Sequence, residues 1–169
     1  MNELNAKLII QKLRLEPHRE GGYCRETYRC SEKLNTTEKP GDQKKNRSLC
    51  SAIYYLLTEG QFSAFHRISQ DEIWHYYAGD PIRHIQISPD GELTDTVLGP
   101  DLLADQVPQL LVTASSWQGC MLIEEGEWAL VGCTVAPGFE FSDFELAKRD
   151  KLLRLFPQHQ ALIKKLTRT

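Results

Sequence analysis

The stretch from Gly60 to Gly79, GQFSAFHRISQDEIWHYYAG, places His66 and Glu72 in a short apolar and aromatic-rich segment. An ionisable side chain in such surroundings needs partners or a function, because burying it alone is costly. A neutral histidine can abstract a proton near pH 7, and histidine together with carboxylate binds divalent metals. His66 and Glu72 are therefore candidate catalytic residues and candidate metal ligands. A purely structural histidine is the alternative for His66.

The elements that position these residues are short strands. From Ser51 to Val135 the chain alternates β-branched and aromatic segments with turn signals, which predicts an antiparallel sandwich or barrel. Apolar residues at helical spacing predict an opening helix over 3–14 and a closing helical region that Pro157 interrupts. The polar residues 31–48 are predicted to be loop. We expect a mainly β protein, a single domain over 1–169 with flanking N- and C-terminal helices.

Composition excludes several classes of protein. Hydrophobic residues make up 41% and charged residues 25%, as in soluble globular proteins. The net charge of −3, from 20 basic and 23 acidic residues, argues against a nucleic-acid partner. No apolar stretch approaches the roughly 18 residues that a membrane span needs. The amphipathic start, with Glu3 in place of a basic region, argues against export and predicts a cytoplasmic protein.

The five cysteines are odd in number and form no C-x-x-C pair. This usage predicts free thiols in a reducing compartment rather than disulfides.

The spacing around His66 resembles the first cupin motif, G-x5-H-x-H-x3-E-x6-G. Gly60, His66, Glu72 and Gly79 match it, but Ile68 stands at the second histidine and cannot ligate a metal. The metal set that the resemblance implies is therefore incomplete, and a divalent metal is an optional cofactor.

The second cupin motif, G-x5-P-x-G-x2-H-x3-N, is represented by the segment QLLVTASSWQGCML. Thr113 and Ser115 then replace its proline and glycine, and Gln118 stands where its histidine would be. His66, Glu72 and Gln118 are weak candidates for metal ligands, a poorer set than two histidines with one carboxylate.

Three further stretches, LEPHREGGYCRETYR, FHRISQDEIWHYYAGDP and GCTVAPGFEFSDFEL, look like one cupin family, cupin_5 or domain of unknown function 985. Similar sequences usually read HPEGGY where this chain has Arg19. The resemblance implies a jelly roll (a double-stranded β-helix), a homodimer and a pocket inside the barrel. It implies no reaction, because the biochemical role of the family is unsettled.

Carrying the family pattern over, the predicted ligand-binding residues are Arg25, Tyr28, Trp74, Trp117 and Gln118. Aromatic walls with a few polar groups are typical of a small-molecule site. Strand alternation puts Tyr23 and Arg25 on one face and Glu26 and Tyr28 on the other, whereas Glu72 and Trp74 share a face. The tryptophans could instead be core residues, and Arg25 and Glu26 could form a surface or interface salt bridge.

Three functions are compatible with this pattern. The first is a small-molecule-binding cupin, for a sugar, nucleotide or acid, with an epimerase- or isomerase-like reaction if it is an enzyme. The resemblance to sugar-nucleotide 3,5-epimerases implies His66 as the base and a tyrosine, Tyr28, Tyr55, Tyr76 or Tyr77, as the acid. The second is a metal-dependent dioxygenase or hydrolase. The third is a non-catalytic ligand-binding or sensing protein.

Overall fold

The computed structural model describes residues 4–36, 45–123 and 125–168 and places two antiparallel sheets face to face as a jelly roll. The strands are β1 (Glu16–Pro17), β2 (Tyr23–Arg29), β3 (Lys33–Thr36), β4 (Lys45–Ser48), β5 (Ser51–Thr58), β6 (Phe62–Arg67), β7 (Asp71–Gly79), β8 (Ile82–Ile87), β9 (Leu93–Leu98), β10 (Gln109–Val112), β11 (Trp117–Leu122), β12 (Trp128–Ala136) and β13 (Glu145–Leu146). The helices are α1 (Ala6–Leu13), α2 (Arg149–Leu155) and α3 (Gln160–Lys165).

One sheet has six strands in the order β1-β2-β5-β12-β7-β10, and the other has five in the order β13-β6-β11-β8-β9. All pairs within both sheets are antiparallel. The predicted mainly β jelly roll is therefore confirmed.

The core between the sheets is built from alternate residues of their strands. Its buried members are Tyr55, Leu57, Trp74, Ile82, Leu98, Leu110, Val112, Cys120, Ala129, Val131 and Cys133. Side chains of successive strand residues point to opposite faces, so each sheet also presents a second, outward set of apolar residues. Those outward sets must be covered.

The helices at the two ends of the chain, which the sequence predicts, cover them. Ile9 of α1 packs with Leu15 and Leu56 on the outer face of the six-stranded sheet. On the outer face of the five-stranded sheet, α2 and α3 pack Leu152 and Ile163 against residues that include Phe65, Ile85, Ile87, Trp117 and Met121. None of the helices in the described ranges is long and apolar enough to cross a lipid bilayer.

Two local predictions have different outcomes. Pro157 does separate α2 from α3, through a 3-10 turn at Pro157–His159. The predicted loop over 31–48 is wrong where the structure describes it, because β3 and β4 form a two-stranded antiparallel sheet there. These strands are polar, so backbone pairing holds them without the apolar alternation that marks a strand in sequence. Residues 37–44 of that stretch lie outside the described residues.

Candidate functional site

A cavity of about 670 Å³ opens into the jelly roll. The six-stranded sheet, β6 and the connecting segments between strands line it, and the lining includes both predicted catalytic residues, His66 and Glu72. Its volume falls within the range of about 300–1,000 Å³ that is usual for small-molecule sites. Among its other lining residues are Arg14, Glu16, His18, Arg19, Glu20, Cys24, Arg25, Glu26, Arg29, Ile53, Tyr55, Ile68, Trp74, Cys133, Phe139, Glu140, Phe141 and Phe144.

A tight turn between β1 and β2 carries Glu20 into this cavity. The Gly21 N–H donates to the carbonyl of His18 at 3.2 Å, and the Ala64 N–H of β6 donates to the carbonyl of Glu20 at 2.8 Å. Gly21 has φ +121°, and a Cβ there would lie 2.2 Å from the carbonyl oxygen of Phe62. Only glycine fits such a close approach in that conformation, so the Gly-Gly pair lets the turn press Glu20 against β6.

His66 and Glu20 form a buried ion pair. The ring Nδ1 of His66 lies 2.8 Å from the carbonyl oxygen of Ala64, so it carries a hydrogen and donates. Nε2 lies 3.2 Å from Oε2 of Glu20, and both side chains are buried. A neutral ring would set its lone pair against the carboxylate, so the contact suits the imidazolium form. Neither ring nitrogen is then left to accept a proton while the Glu20 contact holds.

Glu20 has two further partners. The Ser63 hydroxyl donates to its Oε1 at 2.9 Å, and His18 Nδ1 lies 3.3 Å from its Oε2. Burial would raise the pKa of Glu20, but the charge of His66 and the contacts with His18 and Ser63 hold it below its ordinary value. Burial lowers the pKa of His18, yet Glu20 more than compensates, so the pKa of His18 is raised.

Glu72 enters the cavity from β7 of the six-stranded sheet, whereas His66 enters from β6 of the five-stranded sheet. Its Oε2 accepts a hydrogen bond from Nε2 of Gln118 at 2.5 Å. Its Oε1 makes no well-aligned hydrogen bond within the described residues. The polar groups of Trp74 and Cys133 lie close to the carboxyl group. Burial raises the pKa of Glu72 above its ordinary value, against the opposing charge of His66. The two carboxyl groups of the site therefore have pKa values shifted in opposite directions.

Gln118 ties the two sheets together behind the cavity. It lies opposite His66 in the β6–β11 pairing and is fully buried, but it is absent from the cavity lining. Its Oε1 lies 3.2 Å from Nε2 of His84, which therefore donates. Burial lowers the pKa of His84 to about 4, so this ring stays neutral at pH 7. The amide is oriented by both partners, because Nε2 must donate to Glu72 while Oε1 accepts from His84.

The donor set does not fit the metal that cupins can carry. Ile68 contributes an apolar wall, Nε2 of His66 faces Glu20, and Oε1 of Gln118 accepts from His84. Across residues 4–36, 45–123 and 125–168, no three His, Cys, Asp or Glu side chains are grouped to hold a metal ion. A metal between His66, Glu72 and Gln118 would have to displace two existing contacts.

The structure separates the predicted ligand-binding residues. Trp74 and Arg25 line the cavity, and Trp74 shares the inner face of β7 with Glu72, as alternation predicts. Trp117 faces outward, where it packs in the core beneath α2 and α3 with the Arg67 guanidinium 4.7 Å from its ring. Tyr28 is 53% exposed and lies outside the cavity lining.

Alternation holds on β2 up to Glu26. Cys24, Arg25 and Glu26 all line the cavity, and the β2–β5 pairing sets Cys24 and Glu26 opposite inner-face residues of β5. Arg25 pairs with Tyr54, and its guanidinium lies 5.8 Å from that ring on the outer face of the sheet. The register shifts between Glu26 and Tyr28, and such an irregularity locally re-aims side chains.

Of the four candidate tyrosines, only Tyr55 lines the cavity. It is buried, its hydroxyl donates to the carbonyl of Gly21 at 3.0 Å, and burial raises its pKa well above the ordinary value. Tyr55 is thus a neutral hydroxyl that supports the Glu20 turn.

Glu20 and His18 line the cavity but are not among the site residues that the sequence predicts. Both lie in HREGGY, a segment that the family resemblance includes, and His18 has no spacing signal that pairs it with His66. The available signal was an acidic residue directly before a Gly-Gly turn, which permits burial of the side chain next to a strand.

The chain is similar to several known proteins over most of its length. A family model described as Cupin_5, Cupin superfamily (DUF985), matches residues 7–147. A crystal structure of a protein from Shewanella oneidensis is 43% identical, with a TM-score of 0.86 and coverage of 98% of this chain and 99% of that one. A hypothetical protein from Leishmania major is 30% identical, with a TM-score of 0.90 and coverage of 98% and 100%.

Two other similarities are more distant. An uncharacterized protein from Saccharomyces cerevisiae is 28% identical over 156 residues, 86% of this chain and 77% of the relative. Oxalate decarboxylase from Bacillus subtilis is 15% identical with a TM-score of 0.54, over 89% of this chain and 36% of the enzyme. At that identity the likeness to the decarboxylase concerns the fold alone.

Proposed function

Because the chain belongs to the Cupin_5 family of the cupin superfamily, whose model matches residues 7–147, we propose that its barrel cavity binds a small polar ligand, a sugar, nucleotide or acid. We propose further that it catalyses an isomerase- or epimerase-like proton transfer on that ligand. Function must be argued from the site, since cupin folds carry many chemistries.

The observation that carries this proposal is the environment of Glu72. A carboxyl group with a raised pKa and one oxygen without a well-aligned hydrogen bond lies in the same cavity as a buried His66–Glu20 ion pair. Carboxyl groups whose pKa values are shifted in opposite directions are typical of acid–base sites. The ionised form of Glu72 would take a proton from a carbon next to a carbonyl and return it to the adjacent carbon, as in an isomerase. An epimerase would need a second acid to return the proton to the opposite face of the first carbon. A raised pKa makes a carboxylate a stronger base, which favours the first step.

The roles differ from those that the motif resemblance implies. His66 remains in the site, but its ring nitrogens face Ala64 and Glu20. We propose that it acts as a fixed positive charge that stabilises negative charge on the ligand, rather than as the base. Preorganised charges of this kind often contribute most to catalysis. The metal-dependent alternative requires a donor set that these residues do not offer.

Exchange of solvent hydrogen tests the proposal and does not require the product to be identified. The protein is incubated in D2O with nucleoside-diphosphate sugars, sugar phosphates and 2-hydroxy and 2-oxo acids, and deuterium at carbon is read by mass spectrometry. We expect incorporation into one class, with Glu72→Gln lowering its rate by about 100-fold or more. Glu92→Gln, an exposed carboxylate outside the cavity, is the matched control and should change nothing.

Two results would count against the proposal. Equal rates of deuterium exchange in wild type and Glu72→Gln would mean that Glu72 does not transfer the proton. A ligand that binds but never exchanges would favour the non-catalytic binding protein instead.

A further inference from the structure

Two of the five cysteines, Cys30 and Cys50, lie directly across from each other at the end of the β2–β5 pair. All five cysteines are free thiols in the structure. The pairing of β2 with β5 ends with Arg29 opposite Ser51, so the next two residues to face each other are Cys30 and Cys50. The Cys30 N–H donates to the Cys50 carbonyl at 3.0 Å, which holds the two backbones side by side.

The residues before this cysteine pair point towards the cavity. The Arg29 guanidinium donates to Glu140 at 3.2 Å, and the Ser51 hydroxyl accepts from the Phe139 N–H at 2.9 Å. Both partners line the cavity. Successive residues of a strand point to opposite faces, so the two cysteines that follow point away from the cavity, on one side of the sheet.

Tyr28 agrees with this placement. It lies two residues before Cys30, is exposed and does not line the cavity. The contact between its hydroxyl and the Cys30 thiol raises the pKa of Tyr28, and the nearby Cys50 adds to that effect. The three side chains therefore share the outer face at this end of the sheet.

The separation of the two cysteines suits a disulfide bond. Directly opposed residues of an antiparallel pair have Cα atoms about 4.5–5.5 Å apart, and a disulfide spans roughly 4.4–6.8 Å between Cα atoms. Their Cβ atoms would have to approach from about 5 Å to about 3.8 Å. Both cysteines lie just outside the regular strands, after β2 and before β5, where the backbone can make that small shift.

The other three thiols are protected from oxidation, whereas Cys30 and Cys50 are only half-buried. Cys120 and Cys133 lie in the core, where burial raises the pKa of both thiols. Burial also raises the pKa of Cys24 to about 11. Because the thiolate is the form that attacks a disulfide, these three thiols should react slowly.

We propose that Cys30 and Cys50 form a reversible disulfide by exchange with a low-molecular-weight disulfide of the glutathione class. One cysteine thiolate attacks the small disulfide, keeps one half as a mixed disulfide and releases the other half as a thiol. The second cysteine thiolate then attacks the sulfur of the first cysteine and releases the second half. The two cysteines lose two electrons, the small disulfide gains them, and the two thiol protons pass to the released thiolates.

The bond is expected to be readily reduced, because the shift needed to form it strains the disulfide. It lies on the face of the sheet opposite the cavity, so the proposal does not depend on the proposed function.

The disulfide would close the base of the β3–β4 pair, because Cys30 precedes β3 and Cys50 follows β4. Arg47 of β4 binds Asp143, one residue before the cavity-lining Phe144, so this pair of strands supports one wall of the cavity. A crosslink restricts the unfolded chain more than the folded chain. Oxidation should therefore raise the midpoint of thermal unfolding by several degrees.

Titration with mixtures of oxidised and reduced glutathione tests the proposal on the wild-type protein. After each mixture, the remaining thiols are blocked with N-ethylmaleimide in urea and counted by intact mass. We expect the count to fall from five to three as the share of oxidised glutathione rises, with a crosslinked peptide that contains Cys30 and Cys50. Dithiothreitol should restore all five thiols and reverse the thermal shift.

Serine variants identify the pair. Cys30→Ser and Cys50→Ser should each stop at the mixed disulfide with glutathione and should lose the thermal shift. Cys24→Ser, a half-buried cysteine that lines the cavity, is the matched control and should keep both the crosslink and the shift.

Three results would overturn the proposal. The first is five free thiols in the wild type at every glutathione ratio. The second is glutathione on Cys30 or Cys50 that never resolves to a crosslink. The third is a crosslink that persists in Cys30→Ser, which would assign the disulfide to other cysteines.

Discussion

Glu20 and Glu72 share one cavity, yet their surroundings shift the pKa of the two carboxyl groups in opposite directions. Glu20 contacts two histidines and a hydroxyl, which favour its ionised form over the cost of burial. The donors around Glu72 are neutral, and burial is the largest influence on its pKa, which favours the protonated form. The two groups differ in the charge of their direct partners, because two histidines contact Glu20 and none contacts Glu72 within ion-pair distance in the described residues.

The buried, neutral ring of His84 makes the stability of the fold depend on pH. Its folded pKa of about 4 lies below the ordinary 6.5, so the unfolded chain binds a proton there that the folded chain does not. Stability that depends on neutral His84 is therefore present above pH 6.5 and is lost as the pH falls from about 6.5 to about 4. His84→Gln should reduce the loss of unfolding free energy between pH 7 and pH 5 by about 2 kcal/mol.

Urea unfolding at the two pH values checks this. His159→Gln, which changes a half-buried histidine near the surface, is the control and should keep the wild-type difference. An unchanged difference in His84→Gln would mean that the ring is not held neutral in the folded protein.

At the scale of elements, the turn between β1 and β2 decides whether Glu20 reaches His66. Gly21→Ala would place a Cβ 2.2 Å from the carbonyl oxygen of Phe62 at φ +121°. We expect a loss of about 2 kcal/mol or more of unfolding free energy, together with displacement of Glu20 from Ser63.

Gly60→Ala is a matched control for this change. Gly60 also has positive φ, +72°, but a Cβ there would meet nothing within 4 Å. Gly60→Ala should lower the unfolding free energy by about 1 kcal/mol, which is the cost of the left-handed backbone conformation for alanine. Thermal unfolding of both variants, with ¹H–¹⁵N spectra of His66, separates the two effects. Equal destabilisation, with the His66 signals unmoved in Gly21→Ala, would mean that the turn does not position Glu20.

The strands with one buried face could be predicted from the sequence, whereas the strands without a buried face were missed. Alternation in β5 to β12 identifies the strands and the shared face of Glu72 and Trp74, because the pleat and the core impose a period of two. The β3–β4 pair has no such pattern. Trp117 could not be assigned a face from spacing alone, since the cover that α2 and α3 provide is a tertiary contact.

The sequence predicts some residues of the site and not others, because part of the site depends on tertiary contacts. The motif spacing identifies His66 and Glu72, and the register of β6 with β11 accounts for Gln118 behind them. Glu20 lies 43 residues before its partner Ser63, and its burial depends on a turn that folds back onto another sheet. The sequence pattern around Glu20 does not show that it contacts a residue so far along the chain.

At the scale of the whole molecule, the two sheets contribute different parts of the site. The six-stranded sheet supplies Glu72 and Trp74, and the five-stranded sheet supplies His66. Helices cover the outer faces, so the interior between the sheets holds the cavity. A ligand there would contact both sheets and should stabilise the fold increasingly as its concentration rises.

The homodimer that the family resemblance implies stays a prediction. β10 is an edge strand of the six-stranded sheet, Leu111 on it is 51% exposed, and the nearby Leu103 is 99% exposed. Exposed edges and apolar residues of this kind are often covered by a second copy. Sedimentation equilibrium should give twice the chain mass of 19.4 kDa.

Leu103→Asp should shift that equilibrium towards the single chain, whereas Leu155→Asp, exposed on α2, should not. A mass of 19.4 kDa for the wild type at every concentration would contradict the dimer.

Titrating both carboxyl groups measures whether one cavity keeps Glu20 ionised and leaves Glu72 able to carry a proton. Glutamate side chains labelled with ¹³C at the carboxyl carbon are followed by NMR, and each signal is assigned by its loss in Glu20→Gln or Glu72→Gln. We predict a pKa below 4.5 for Glu20 and above 4.5 for Glu72. A pKa of Glu72 at or below 4.5, with Glu20 titrating above it, would contradict the assignment of Glu72 as the proton carrier.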